Sequence, residues 1–239
     1  MAKFTSAVIL AAGNGSRFGG KVKKQFADIL GEPCIVRTVR AFEECDLIDE
    51  IILVGDNEIL SDIFSAYSFE KIKMIVGGGE TRQEPALLGF DSVCDKSKYV
   101  AIHDGARCLV TPEIISETVK AAYKHRAAAA AHRSEDTVKV ADKNGMIEST
   151  QDRDKIWLVQ TPQVFLNDVY RVSAYMAKQD EVAVTDDCMM CERLGFEIKL
   201  VECGRENIKL TAPDDLYLCE AILAYREQKK AEEGTVAKK

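Results

Sequence analysis

Residues Thr5–Ala11 form a short apolar run with β-branched members, and a glycine-rich basic stretch follows it without a break. A run this short and this apolar reads as a strand buried on both faces. Feeding straight into Gly13-x-Gly15, it sets that loop at the carboxyl edge of a sheet, where open α/β folds bind ligands. The pattern then repeats. Helical spacing runs through Ile35, Val36, Val39, Ala41 and Phe42, and Glu50–Val54 is a second strand. Asn57 is expected to cap a helix reaching about Ala66, and a third strand, Ile72–Val76, ends in Gly77-Gly78-Gly79. A helix near Glu84–Val93, a strand at Tyr99–Ile102 and a helix opened by Thr111-Pro112 complete the alternation. This spacing predicts an α/β fold: one Rossmann-like, mostly parallel sheet with helices on both faces, spanning residues 1–226.

The rhythm breaks after the Ala127–Ala131 run. Thr137-Val138-Lys139-Val140 alternates, Asp142–Gly145 supplies a turn, and Met146-Ile147-Glu148 returns, a β-hairpin within approximately residues 133–160. It does not suit the main sheet, so a protruding arm that contacts a second subunit is expected. Beyond it lie a strand near Gln163–Phe165 and helices near Val169–Met176 and Asp187–Leu194. A strand at Glu197–Val201 and a helix from Pro213 follow, and residues 227–239, charged and small, are expected to fray.

Composition narrows the function classes. A 239-residue chain can bury a large core, and a 46% hydrophobic share is too high for disorder. A net charge of −7 argues against a nucleic-acid groove. The apolar stretch Ala7–Ala12 is too short for a membrane span and lacks a signal-peptide layout, so a cytoplasmic protein is expected. The eight cysteines read as buried thiols, and the close pair Cys188 and Cys191 has no second pair or nearby His to complete a zinc site.

The chemistry concentrates in the first loop. Arg17, Lys21, Lys23 and Lys24 put four cations into eight positions behind glycines that let backbone N–H groups approach a phosphate. Neither common phosphate loop fits: Phe18 stands where a dinucleotide fingerprint needs a small residue, and Val22 where a Walker A loop needs Ser or Thr. A second candidate, His103-Asp104-Gly105-Ala106-Arg107, follows the Tyr99–Ile102 strand and so shares the same sheet edge. There an acid suits a metal ion or a ribose, and Arg107 a phosphate.

The Ala-Ala-Gly-x-Gly-x-Arg loop with Lys24-Gln25, the Gly78–Arg82 segment and His103–Arg107 resemble nucleotidyltransferases of sugar and polyol phosphates. Asp136–Lys139, Gln160–Gln163, Thr185–Asp187 and Asn207–Lys209 narrow the resemblance to the family of 2-C-methyl-D-erythritol 4-phosphate cytidylyltransferases, over Ala7 to about Ala221. The resemblance implies reaction of CTP with the polyol phosphate, with Mg²⁺ held mainly by the CTP phosphates and Asp104 as a candidate ligand. It implies catalytic roles for Arg17, Lys24 and Lys209, and nucleotide contacts from Ala11, Ala12, Gly13, Gly15, Gly79, Glu80 and Asp104. Arg107, Thr161 and Thr185 would surround the substrate, with Thr137 and Arg153 reaching in from the arm of a homodimer partner. A ribitol 5-phosphate cytidylyltransferase and a non-catalytic nucleotide sensor are the alternatives.

Three positions depart from the family pattern. Pro85 replaces a serine that contacts the nucleotide, which removes a hydroxyl and an N–H. Lys23 replaces the proline before Lys24-Gln25, adding charge and, by expectation, loosening the loop. His132-Arg133-Ser134-Glu135 replaces a segment that often contains proline and is expected to alter how the arm leaves the core.

Overall fold

The computed structural model describes residues 3–13, 18, 23–78 and 84–236. In chain order the first elements are β1 (Thr5–Leu10), β2 (Asp28–Ile29), β3 (Glu32–Pro33), α1 (Cys34–Glu43), β4 (Glu50–Gly55) and α2 (Asn57–Ser65). There follow β5 (Ile72–Gly77), α3 (Glu84–Asp91), β6 (Tyr99–Asp104), α4 (Pro112–His125) and β7 (Ala127–Arg133). The arm strands are β8 (Lys139–Ala141) and β9 (Ile147–Thr150). The chain then closes through β10 (Trp157–Leu166), α5 (Asn167–Gln179), α6 (Asp187–Arg193), β11 (Lys199–Glu202) and α7 (Asp215–Val236).

Seven strands form one sheet in the order β11-β7-β10-β6-β1-β4-β5. All neighbours run parallel except β10, which is antiparallel to both β6 and β7. The alternation in β1 shows why the sheet is buried on both sides. Ala7 and Ile9 pack with Val39 of α1, Leu60 of α2 and Val119 of α4, whereas Val8 packs on the other face with Phe90 of α3 and Tyr170 of α5. Truncating a fully buried member such as Ile9 to Ala should cost about 2–5 kcal/mol, from lost transfer energy and the cavity left behind. Gly89 lets α3 lie close on this face, since a Cβ there would sit 2.3 Å from Val8 Cγ1.

Four local readings change. Asp56, not Asn57, caps α2: its Oδ1 accepts from the Ile59 amide at 3.2 Å, one residue before the helix starts. The Ala127–Ala131 run, to which no element was assigned, is the body of β7. Alanine favours helix, but Arg126 takes a left-handed φ of 74° and ends α4, and the run then pairs with β10 and β11 on its two sides. Strand β10 starts at Trp157, well before the apolar Gln163–Phe165 segment, and its pairing with β7 shifts register between Val159 and Gln163. Residues 227–236 continue α7 instead of fraying, with Lys229 and Glu233 one turn apart at 4.0 Å. The hairpin β8–β9 forms its own two-stranded sheet outside the main one, as expected. Among the described residues no helix is long and apolar enough to cross a membrane.

Candidate active site

The carboxyl ends of β1, β4, β5 and β6 converge at one edge, and the connections there come close. Ala11 donates its amide to the Val54 carbonyl at 2.7 Å, and Gly78 donates to Gly55 at 3.1 Å. The turn after β6 needs its glycine: a Cβ on Gly105 would stand 2.9 Å from the Leu10 carbonyl oxygen. A cleft of about 1130 Å³ opens along this edge. It brings together Ala12, Gly13, Lys24, Asp104, Arg107, Thr161, Thr185 and Lys209, all expected site residues, with Thr185 exposed at its rim.

One expected contact is not met inside the cleft. Ala11 is buried behind the lining, and its amide and carbonyl are already engaged, so it offers no donor to a nucleotide. Thr137 and Arg153, expected to serve a partner subunit's site and not their own, are exposed on the arm and line no part of this cleft. Arg153 instead borders a shallow depression at the root of the arm with Arg133, Glu135 and Arg205. Arg17, Gly15, Gly79 and Glu80 lie outside the described residues.

Gln25, read from sequence only as the neighbour of Lys24, holds the chain where it leaves β1, at Ala11 and Gly13. Its side chain is 2% exposed, and its Nε2 donates to the Ala11 carbonyl at 2.6 Å and the Gly13 carbonyl at 3.1 Å. A glutamine in the 3₁₀ turn Lys24–Phe26 thereby ties Ala11 and Gly13 to that turn, from which Lys24 lines the cleft. Lys23 does not disturb this arrangement. Its φ of −64° is the value that proline imposes, and its carbonyl accepts from Phe26 at 2.8 Å. Pro85 is similarly benign for the fold, because it sits in the first turn of α3, where an N–H has no intrahelical partner. It does line the cleft, so the loss of a donor there falls on the ligand. At the arm root β7 runs on to Arg133, whose guanidinium lies 4.5 Å from the Trp157 ring centroid, and Ser134 donates to Ile156 at 3.0 Å.

The floor of the cleft is a charged ring. Lys209 Nζ donates to Asp104 Oδ1 at 2.8 Å and Arg107 Nε to Asp104 Oδ2 at 3.3 Å. Arg107 also donates from Nη1 to the Asn207 carbonyl at 2.8 Å, and the Asp104 amide donates to Thr161 Oγ1 at 3.1 Å. Burial pushes the Asp104 carboxyl up, but Lys209 and Arg107 outweigh it and hold it at about 2. Two cations around one carboxylate leave the floor positive, and Lys24 adds to it from the side. A chain of net charge −7 thus gathers Lys24, Arg107 and Lys209 at the floor of one cleft. The opposite wall carries acids that are held by hydrogen bonds but keep their charge: Asp186 caps α6 through the Met189 amide at 3.0 Å and accepts from Gln163 Nε2 at 2.9 Å. Asp187 accepts from the Tyr170 hydroxyl at 2.8 Å. Among the described residues no three His, Cys, Asp or Glu side chains converge as a metal cage.

Behind the floor His103 is fully buried, its Nδ1 3.0 Å from Thr161 Oγ1. Burial pushes its pKa down to about 3. The unfolded chain therefore binds a proton at His103 near pH 6.5 that the folded chain refuses until about pH 3, so stability is fully present above pH 6.5 and lost as pH falls. The slope should approach about 1.4 kcal/mol per pH unit. Asp104, also depressed, adds to the loss only below its ordinary range, toward pH 2. Urea unfolding at pH 7.5, 5.5 and 4.5 checks this, and His103→Gln should flatten the slope.

A doubly covered, mostly parallel sheet whose first strand runs out into Gly13 above a small cationic floor suits enzymes that join two phosphorylated reactants, and this chain is a nucleotidyltransferase. The family model for 2-C-methyl-D-erythritol 4-phosphate cytidylyltransferase matches residues 5–225, and the chain belongs to that family. A relative of that name from Caldanaerobacter subterraneus is 41% identical, over 91% of this chain and 98% of its own. One from Clostridium acetobutylicum is 40% identical over 91% and 96%. The crystal structure of 4-diphosphocytidyl-2C-methyl-D-erythritol synthase from Anaerococcus prevotii superposes with a TM-score of 0.83 at 31% identity, covering 93% of this chain and 97% of that one.

Proposed function

We propose that this chain is a cytoplasmic enzyme that transfers the cytidylyl group of CTP to 2-C-methyl-D-erythritol 4-phosphate. The products are 4-diphosphocytidyl-2-C-methyl-D-erythritol and pyrophosphate, a step of the non-mevalonate isoprenoid pathway. The observation that carries the residue roles is the Asp104–Arg107–Lys209 ring facing Lys24 across one cleft. A phosphate monoester oxygen is already an anionic nucleophile, so no general base is needed. It bonds to the α-phosphorus, the bond to the bridging oxygen breaks, and pyrophosphate leaves with the electron pair. The protein's task is to bring two anions together and to stabilise charge at the α-phosphorus.

Lys24 and Lys209 supply that charge, with Arg17 joining them. Ala12 and Gly13 line the nucleotide side, where Gly15, Gly79 and Glu80 also belong, and Asp104 faces the ribose and reacting phosphates. Arg107, Thr161 and Thr185 take the polyol phosphate. The donor set fits Mg²⁺ that arrives on the triphosphate, because Asp104 is ionised and no protein cage stands ready among the described residues. When bound, the metal neutralises phosphate charge. The working unit is a homodimer in which the partner's arm delivers Thr137 and Arg153. The exposed apolar side chains of Val140, Met146 and Ile147 on an otherwise unsupported hairpin favour such a contact.

Pyrophosphate release from CTP with Mg²⁺ tests the assignment directly. Turnover with 2-C-methyl-D-erythritol 4-phosphate well above that with ribitol 5-phosphate is expected. The reverse preference overturns the substrate, and tight CTP binding with no pyrophosphate overturns the activity.

A further inference from the structure

Lys209 sits in the segment between Cys203 and Thr211, which is neither helix nor strand. No ladder of backbone bonds sets its position, so individual contacts must. One lies after Lys209: the Leu210 amide donates to the Ala106 carbonyl at 2.8 Å. Another lies before it, at Asn207, which is fully buried and lines no part of the cleft. The Asn207 Nδ2 donates to the Thr161 carbonyl and to Gln160 Oε1, both at 2.9 Å. Because a backbone carbonyl can only accept, the amide orientation is fixed by Thr161. The Asn207 main-chain carbonyl in turn accepts from Arg107 Nη1 at 2.8 Å.

These bonds close a circuit through Asp104, Thr161, Asn207 and Arg107 and back to Asp104. Asn207 is the one member with no atom on the ligand side. Its Oδ1 has no partner, so the buried amide is held for its donors alone.

We propose that Asn207 is a positioning residue: its amide, clamped to the kink of β10, sets where Arg107, Thr161 and Lys209 stand for the incoming polyol phosphate. It touches neither reactant. The inference rests on the reading of the cleft as the meeting place of CTP and the polyol phosphate. A misplacement of about 1 Å in such a set lowers turnover by about 10²-fold.

Asn207→Asp is the sharp probe, being isosteric but turning an oxygen toward the Thr161 carbonyl. Asn207→Ser, smaller and neutral, serves if the aspartate variant does not fold. The expected result is a polyol-phosphate KM raised about tenfold or more with a lowered kcat, while the CTP dissociation constant stays within about twofold. A second readout needs no substrate: exchange of the Arg107 Nε proton, followed by NMR, should be slow in the unsubstituted chain and much faster in a folded variant. Polyol-phosphate KM and kcat within about twofold of the unsubstituted enzyme overturn the proposal, as does an equal loss in CTP affinity. Should the unsubstituted chain fail to turn over CTP with this polyol phosphate, the functional reading falls. The Arg107 exchange rate then decides the role of Asn207 alone: unchanged, it overturns the proposal, and faster, it supports it.

Discussion

Lys209→Met is expected to lower turnover by about 10²–10³-fold with little change in the fold, since one preorganised cation at the reacting phosphate carries that much. The ammonium stands 2.8 Å from Asp104 Oδ1 and its side chain is 32% exposed, so it is paired when the cleft is empty yet open to a ligand. A phosphate arriving beside it exchanges one anionic partner for another without a large movement. The variant also removes a main influence that holds Asp104 at about 2, so that carboxyl should titrate higher. The sign follows. A depressed carboxyl stabilises the fold above its unfolded value and loses that contribution as pH falls through the folded one, and with Lys209 gone the contribution shrinks. Steady-state kinetics beside thermal unfolding measures both effects. Turnover reduced by less than about fivefold would remove Lys209 from the chemistry.

A second consequence concerns coupling. Asp104→Asn should cost less in the Lys209→Met background than alone, because the two side chains share one ion pair. In Lys209→Met alone, Arg107 still meets that carboxylate's other oxygen, at 3.3 Å.

Most of the sheet was legible because its strands are covered on both faces and therefore nearly pure apolar runs, as in Glu50–Val54 and Tyr99–Ile102. The polyalanine body of β7 was not. Local propensity points to helix there, and only the neighbouring strands and the left-handed Arg126 overrule it. Strand β10 was half legible: Gln163–Phe165 is buried, whereas Trp157–Val159 lies toward the arm, where Leu158 and Val159 are exposed. The C-terminal helix was legible from Pro213, but its continuation over residues 227–236 was hidden, because that stretch is charged and carries no apolar stripe.

At the site Lys24, Asp104 and Arg107 announced themselves by type and position after strands, and Lys209 only through the family resemblance. The uncharged ones that hold them did not. Gln25, Gln160 and Asn207 work through amide bonds to backbone carbonyls or to one another, and a lone amide in a sequence has no spacing that marks such a partner. A polar residue that must be buried, such as Gln25 beside a glycine loop, is the available signal, and it appears only once the fold is in hand.

The arm carries the other large effect, and it separates a contribution from the partner from one within the same chain. Arg153→Ala is expected to be nearly inactive although Arg153 is exposed and lines no part of its own cleft. A chain-internal role would require the arm to fold back over the core, yet β8–β9 pairs only with itself and its apolar side chains face outward. Mixing decides between the two. Each of the variants Arg153→Ala and Lys209→Met should be inactive by itself. In a mixed dimer, one site combines an intact Lys209 with an intact arm from the other subunit, while its twin carries both lesions. Random reassociation of equal amounts makes half the dimers mixed, so activity should return to about one quarter of that of the unsubstituted enzyme. No recovery on mixing, with dimers verified by light scattering, would place Arg153 in the service of its own chain or outside the reaction altogether. A monomer at working concentration would exclude the shared site outright. Recovery near a quarter would instead mean that the cationic floor of the cleft is completed only when two acidic chains come together, so the arm contact must outweigh their mutual repulsion.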